Sequence, residues 1–130
     1  MQATVNWKEN LKFSCKTDTG KSIELDGNGE TMTPMEAVLL SVGACSSIDV
    51  VDILKKSRKQ VDDCICQLDA TRAEQPPRFF TAIHAHYIVT GEGLTDKNVA
   101  RAVQLSAEKY CSVILMLTGN VNITTSYELA

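Results

Sequence analysis

The stretch Met35–Lys59, MEAVLLSVGACSSIDVVDILKKSRK, constrains the fold more than any other part of the chain. It opens on Thr33-Pro34-Met35-Glu36. Thr33 is placed to cap a helix, Pro34 sits at the first helical position where its missing N–H does no harm, and Glu36 can close a capping box. From Met35 to Ala44 only Glu36 and Ser41 interrupt the apolar surface, so the pattern predicts a long central helix buried on most sides. The Lys55–Lys59 end is solvated and suits the negative end of the helix dipole.

Strands are expected on either side. TVNWKENLKFSCKT alternates weakly and breaks at Glu9-Asn10, which reads as a short hairpin, and SIELD (Ser22–Asp26) reads as a third strand before the Asp26-Gly27-Asn28-Gly29 loop. From Val61 to Arg72 the even positions Cys64, Cys66, Leu68 and Ala70 are apolar; after Pro76-Pro77 the odd positions Phe79, Ile83, Ala85, Tyr87 and Val89 are. Pairing residue 73 with 78 makes the apolar faces of this hairpin coincide. Thr95 can cap a second helix with a stripe of Val99, Ala102, Val103 and Ala107, CSVILML can continue it after a kink, and VNITTSYEL reads as a final edge strand. The order is that of one α+β domain over residues 1–130.

Composition narrows the class of partner. Thirteen basic against sixteen acidic residues, with no basic run longer than Lys55-Lys56, leave no nucleic-acid footprint, so small molecules are the expected partners. MQATVNWKEN has no basic and apolar leader pattern, and no apolar stretch approaches the roughly 18 to 20 residues that span a bilayer, which places the protein in the cytoplasm without a membrane partner. In that compartment the five cysteines read as core residues, metal ligands or reactive thiols rather than as a disulfide framework.

Cys64-x-Cys66 and His84-x-His86 resemble a zinc set by residue type, but the register points the cysteines to the core and the histidines to the wet face, so no metal is expected there. Cys15, beside Phe13 but expected to face away from it, reads as a passive thiol. Cys45 sits among small residues in Gly43-Ala44-Cys45-Ser46-Ser47, which leaves space for a substrate or another backbone. Asp49, at i+4, works against a thiolate unless something neutralises it. Cys111 ends the second helix in Ala107-Glu108-Lys109-Tyr110-Cys111-Ser112, with Lys109 near enough to lower a thiol pKa modestly. For each of the two a passive core cysteine is the competing reading.

Thr33-Pro34-Met35-Glu36 through Gly43-Ala44-Cys45, followed by Ser106-Ala107-Glu108-Lys109-Tyr110-Cys111, resemble the OsmC/Ohr family of osmotically inducible and organic-hydroperoxide-resistance proteins. The resemblance covers nearly the whole chain. It implies an intertwined homodimer of α+β subunits and two-cysteine reduction of peroxides, with Cys45 the peroxidatic and Cys111 the resolving residue, no cofactor, and a dithiol as reductant. The dimer has one physical support of its own, because a helix apolar nearly all round needs more cover than one thin sheet offers. The chain also departs from the family pattern. Met35 stands where a carboxylate usually follows the proline, the first 57 residues hold no Arg, and Ser112 replaces the usual Pro after the second cysteine.

Two functions follow as expectations. One is thiol-dependent reduction of hydroperoxides, apolar ones favoured because Val42, Ile48, Val113 and Met116 would surround the site if the cysteines meet. The other is a binding protein for a small apolar or electrophilic ligand, whose thiols are not turned over. A thiol-disulfide oxidoreductase acting on proteins is disfavoured by the lack of Cys-x-x-Cys.

Overall fold

A computed structural model describes all 130 residues. In chain order they form β1 (Ala3–Glu9), β2 (Lys12–Thr17), β3 (Ser22–Asp26), α1 (Pro34–Lys56), β4 (Asp63–Arg72) and β5 (Phe80–Thr90), then α2 (Asp96–Leu105), a π-turn (Ser106–Tyr110), α3 (Ser112–Leu117) and β6 (Asn122–Leu129). This is the expected α+β order, with a π-turn and a separate short helix where a kinked continuation of α2 is anticipated. The chain divides into two compact units, Met1–Leu40 and Ser41–Ala130.

In the first unit β1, β2 and β3 form an antiparallel meander in that order. Asn10, at φ 48°, turns the chain where the alternation breaks, and its carbonyl accepts the Trp7 indole N–H at 2.8 Å. Asp26 is fully buried, and its carboxylate accepts the N–H groups of Asn28 and Glu30 at 2.8 and 3.2 Å, which shapes the following loop. Cys15 does not face away from Phe13. Residues two apart on a strand share a face, and both side chains line one apolar cavity of about 310 Å³ with Val5, Leu11 and Leu25.

The capping box at the start of α1 is formed as anticipated. Thr33 N–H donates to Glu36 Oε1 at 2.9 Å and Glu36 N–H to Thr33 Oγ1 at 3.2 Å, which holds the Glu36 carboxyl below its ordinary range. The helix ends at Lys56, three residues short of expectation. Arg58 turns left-handed at φ 61° and the Lys59 N–H returns to the Leu54 carbonyl at 3.0 Å, which closes the last turn.

Burial of α1 departs from the sequence reading. Within the chain only Val42, Gly43, Ser46, Val50 and Leu54 are buried, and Val38, Leu40 and Ile48 are exposed. The estimate of apolar length needs correction too. Over 18 residues α1 has a mean hydropathy of 1.9, long and apolar enough by length and composition to cross a membrane, with 28% of that window buried. Scattered serines and Glu36 hide this length in a run count but hardly change the mean.

The second unit is built on β4–β5–β6, with β4 and β5 antiparallel and β6 parallel to β5 at the edge. Observed pairs such as Cys66↔Tyr87 and Asp69↔His84 sum to 153, two more than the predicted register, one from a longer loop, which leaves Arg72 opposite Phe80, and one from a bulge between Thr71 and Arg72. A shift of two preserves which residues share a face. Ile83, Ala85, Tyr87 and Val89 are therefore buried as expected, and the last three pack with Val50 and Leu54 of α1 and Val99, Ala102 and Val103 of α2. Thr95 caps α2 through a capping box with Asn98. At Gly91 any side chain would run into the Gln60 carbonyl, so glycine is required by close backbone approach.

Candidate functional site

The two cysteines singled out from the sequence meet in the second unit. Cys45 lies on α1 and is partly buried; Cys111 is fully buried at the junction of the π-turn and α3. The π-turn sets this position. Its wider turn lets the Cys111 N–H reach the Ser106 carbonyl at 2.8 Å, after which Cys111 leaves helical geometry at ψ 107° and caps α3. Its sulfur accepts the Ile114 N–H at 3.4 Å.

The Cys111 thiol is pushed up to about 11, first by burial and then by its hydrogen bond to the Cys45 sulfur, against the pull of the Ile114 and Val113 N–H groups. The two thiols are hydrogen-bond neighbours, Cys111 fully buried and Cys45 the more accessible. Lys109 does not have the role expected of it, because its Nζ lies 5.7 Å from the centre of the Tyr110 ring and burial dominates at Cys111.

A buried polar chain surrounds the pair. The Tyr87 hydroxyl donates to Ser46 Oγ at 2.6 Å, and Ser46 Oγ donates to the Val42 carbonyl at 2.7 Å. Ser106 Oγ lies 2.9 Å from Asp49 Oδ2 and 3.2 Å from the Ser46 carbonyl. Burial raises the Tyr87 phenol far above its ordinary range, so it stays a donor. Sequence reasoning missed Ser46, Ser106 and Tyr87, and saw Asp49 only as an unfavourable charge. The one available signal was the polar tip of Tyr87 on an otherwise apolar strand face.

Residues 27–126 match the family model described as OsmC-like protein. The chain belongs to the OsmC family. It is 54% identical to Protein YhfA of Escherichia coli K12 over 131 residues, 99% of this chain and 98% of that one. A crystal structure of a hypothetical protein from Aquifex aeolicus VF5 is 35% identical with a TM-score of 0.90, covering 99% of this chain and 95% of that one. An organic hydroperoxide resistance protein OsmC from Legionella pneumophila, at 17% identity, shares the fold with a TM-score of 0.75, covering 98% of this chain and 95% of that one.

Cys64 and Cys66 are on the inward face of β4, both raised chiefly by burial, with Ser47 hydrogen-bonded to each. His84 and His86 are on the other face of the sheet. There His84 Nε2 and His86 Nδ1 lie 2.8 and 2.6 Å from one hydroxyl, Ser126 Oγ, and the His84 Nδ1 is 2.7 Å from Thr124 Oγ1. The face assignment that argues against a joint Cys₂His₂ centre is thus the observed one. Gly43 lets β4 approach α1 closely, since a Cβ there would stand 2.7 Å from Leu68 Cδ1.

Proposed function

We propose that this OsmC protein is a two-cysteine thiol peroxidase, in which Cys45 attacks an organic hydroperoxide and Cys111 resolves the product. The observation that carries the reading is the meeting of the two thiols, a fully buried Cys111 beside a more accessible Cys45 sulfur. In the first step the Cys45 thiolate attacks a peroxide oxygen, the O–O bond breaks, and the alkoxide leaves with a proton as alcohol. In the second step the Cys111 sulfur displaces hydroxide from the Cys45 sulfenic acid, its thiol proton leaves with that hydroxide as water, and a disulfide remains. A dithiol supplies the two electrons that restore the pair.

Apolar hydroperoxides suit the surroundings. Ile48 follows one turn after Cys45, and Leu115 and Met116 follow Cys111; all three are exposed. The organic hydroperoxide resistance proteins among the fold relatives lend support at the level of the family. One equivalent of an alkyl hydroperoxide is expected to consume two thiols and yield a Cys45–Cys111 disulfide by peptide mapping. Retention of both thiols would sink the reading.

The chain is proposed to work as a homodimer. The uncovered apolar side chains of α1, together with Val5, Trp7 and Ile23 of the first unit, are surface that a second copy can cover. Light scattering is expected to give twice the chain mass of 14.2 kDa, and a stable monomer would count against it. A second function is favoured by one observation: Met35 and the lack of Arg before Arg58 leave Cys45 without the family's charged partners. On that reading the protein binds an apolar or electrophilic molecule, and native mass spectrometry would find it retained with both thiols reduced.

A further inference from the structure

Cys45 and Asp49 are four residues apart on α1, one helical turn, and so share a face. Ser106 and Cys111 are five apart across the π-turn, tied by the Cys111 N–H to Ser106 carbonyl bond of 2.8 Å. The two turns touch at both ends. At one end the Cys111 and Cys45 thiols are hydrogen-bond neighbours; at the other, Ser106 Oγ lies 2.9 Å from Asp49 Oδ2. Ser106 is only 1% exposed, and its hydroxyl also stands 3.2 Å from the carbonyl of Ser46, the residue next to Cys45. A buried hydroxyl held by two acceptors on the facing helix resists sliding of one element along the other.

We propose that Asp49 and Ser106 are positioning residues, whose hydrogen bond fixes the π-turn against α1 and so holds Cys111 in line with Cys45 for disulfide closure. The proposal rests on the reading of the pair as a redox centre and adds how its second step is held in register. Neither residue exchanges a proton with a sulfur. Closure needs an S–S bond of about 2.05 Å in a narrow dihedral range, so modest freedom of the π-turn lowers the effective concentration of Cys111.

The test uses the full chain and two readouts. Wild type, Ser106→Ala, Asp49→Ala, Asp49→Asn and the double alanine variant are equilibrated in a glutathione redox buffer, and the Cys45–Cys111 disulfide is quantified against the Cys45 mixed disulfide. This gives the effective concentration of Cys111 without using peroxide. Both single alanine variants are expected to lose about tenfold or more. The double variant should lose no more than either single one, because both remove the same contact. Asp49→Asn should stay near wild type, since its amide oxygen accepts the same hydrogen bond.

Wild-type effective concentrations in the alanine variants would overturn the proposal. So would an Asp49→Asn variant as impaired as Asp49→Ala, which would assign the effect to charge. The second readout is formation of the Cys45 sulfenic acid after addition of an alkyl hydroperoxide, expected at the wild-type rate in Ser106→Ala and no slower than wild type in the Asp49 variants, which lose a negative charge one turn from the sulfur. Its absence from every protein, wild type included, would reject the peroxidase reading while leaving the redox-buffer result to decide the positioning role.

Discussion

Cys45→Ser is expected to reduce hydroperoxide consumption to the protein-free background, whereas Cys111→Ser is expected to consume one equivalent and stop. A serine hydroxyl is not ionised near neutral pH and is a poor nucleophile towards a peroxide oxygen, so the first substitution removes the step itself. The second leaves the Cys45 sulfur in place. It removes the thiol that would condense with the sulfenic acid, so Cys45 should be recovered as a trapped sulfenic acid or, with excess peroxide, as the sulfinic acid. Stopped-flow loss of alkyl hydroperoxide together with intact-mass analysis would check both. Equal turnover in Cys45→Ser and wild type would reject the peroxidase assignment and favour a binding role.

Reduced protein is expected to lose roughly 2 kcal/mol of stability between pH 9 and pH 11 as the buried Cys111 thiol ionises. The sign follows from the direction of the shift. A thiol raised from an ordinary value of 9.0 to about 11 in the folded protein binds its proton more tightly there than in the unfolded chain. The stability it contributes is therefore complete below pH 9 and lost as pH rises through the folded value. Cys64 and Cys66, also raised, act in the same sense and are common to both proteins in the comparison. Urea unfolding under reducing conditions at pH 8 to 11 should give a steeper fall for wild type than for Cys111→Ser. Parallel curves would show that Cys111 is not held as a neutral buried thiol.

Legibility in the sequence followed the range of the interactions. The start of α1 was readable because Thr33, Pro34 and Glu36 satisfy one another within a single turn. The faces of β4 and β5 were readable although the register was two residues off, since alternation fixes parity, and loop length and the bulge fix the offset. Cys45 and Cys111 stood out by setting and by resemblance. The contacts that arrange them did not, because Asp49 with Ser106 and Ser46 with Tyr87 are long-range pairs of ordinary residues. How much of α1 lies uncovered was also beyond the sequence: a pattern tells that a surface is apolar, not what covers it.

The π-turn makes the site respond unequally to a lost and to an added residue. A π-turn amounts to one residue inserted into an α-helix, and each helical residue carries about 100° of rotation. Removing any one residue between Ser106 and Cys111 would leave a regular helix of good propensity and an intact core stripe at Val99, Ala102 and Val103. The cysteine would then follow Ser106 by four residues, and the ordinary α-helical bond would place its N–H on the Ser106 carbonyl, where the π-turn already holds it. A residue added to the turn has no such slack and would carry the second sulfur about 100° around the helix, so in this chain a variant shortened by one residue is the better candidate to keep the pair than one lengthened by one.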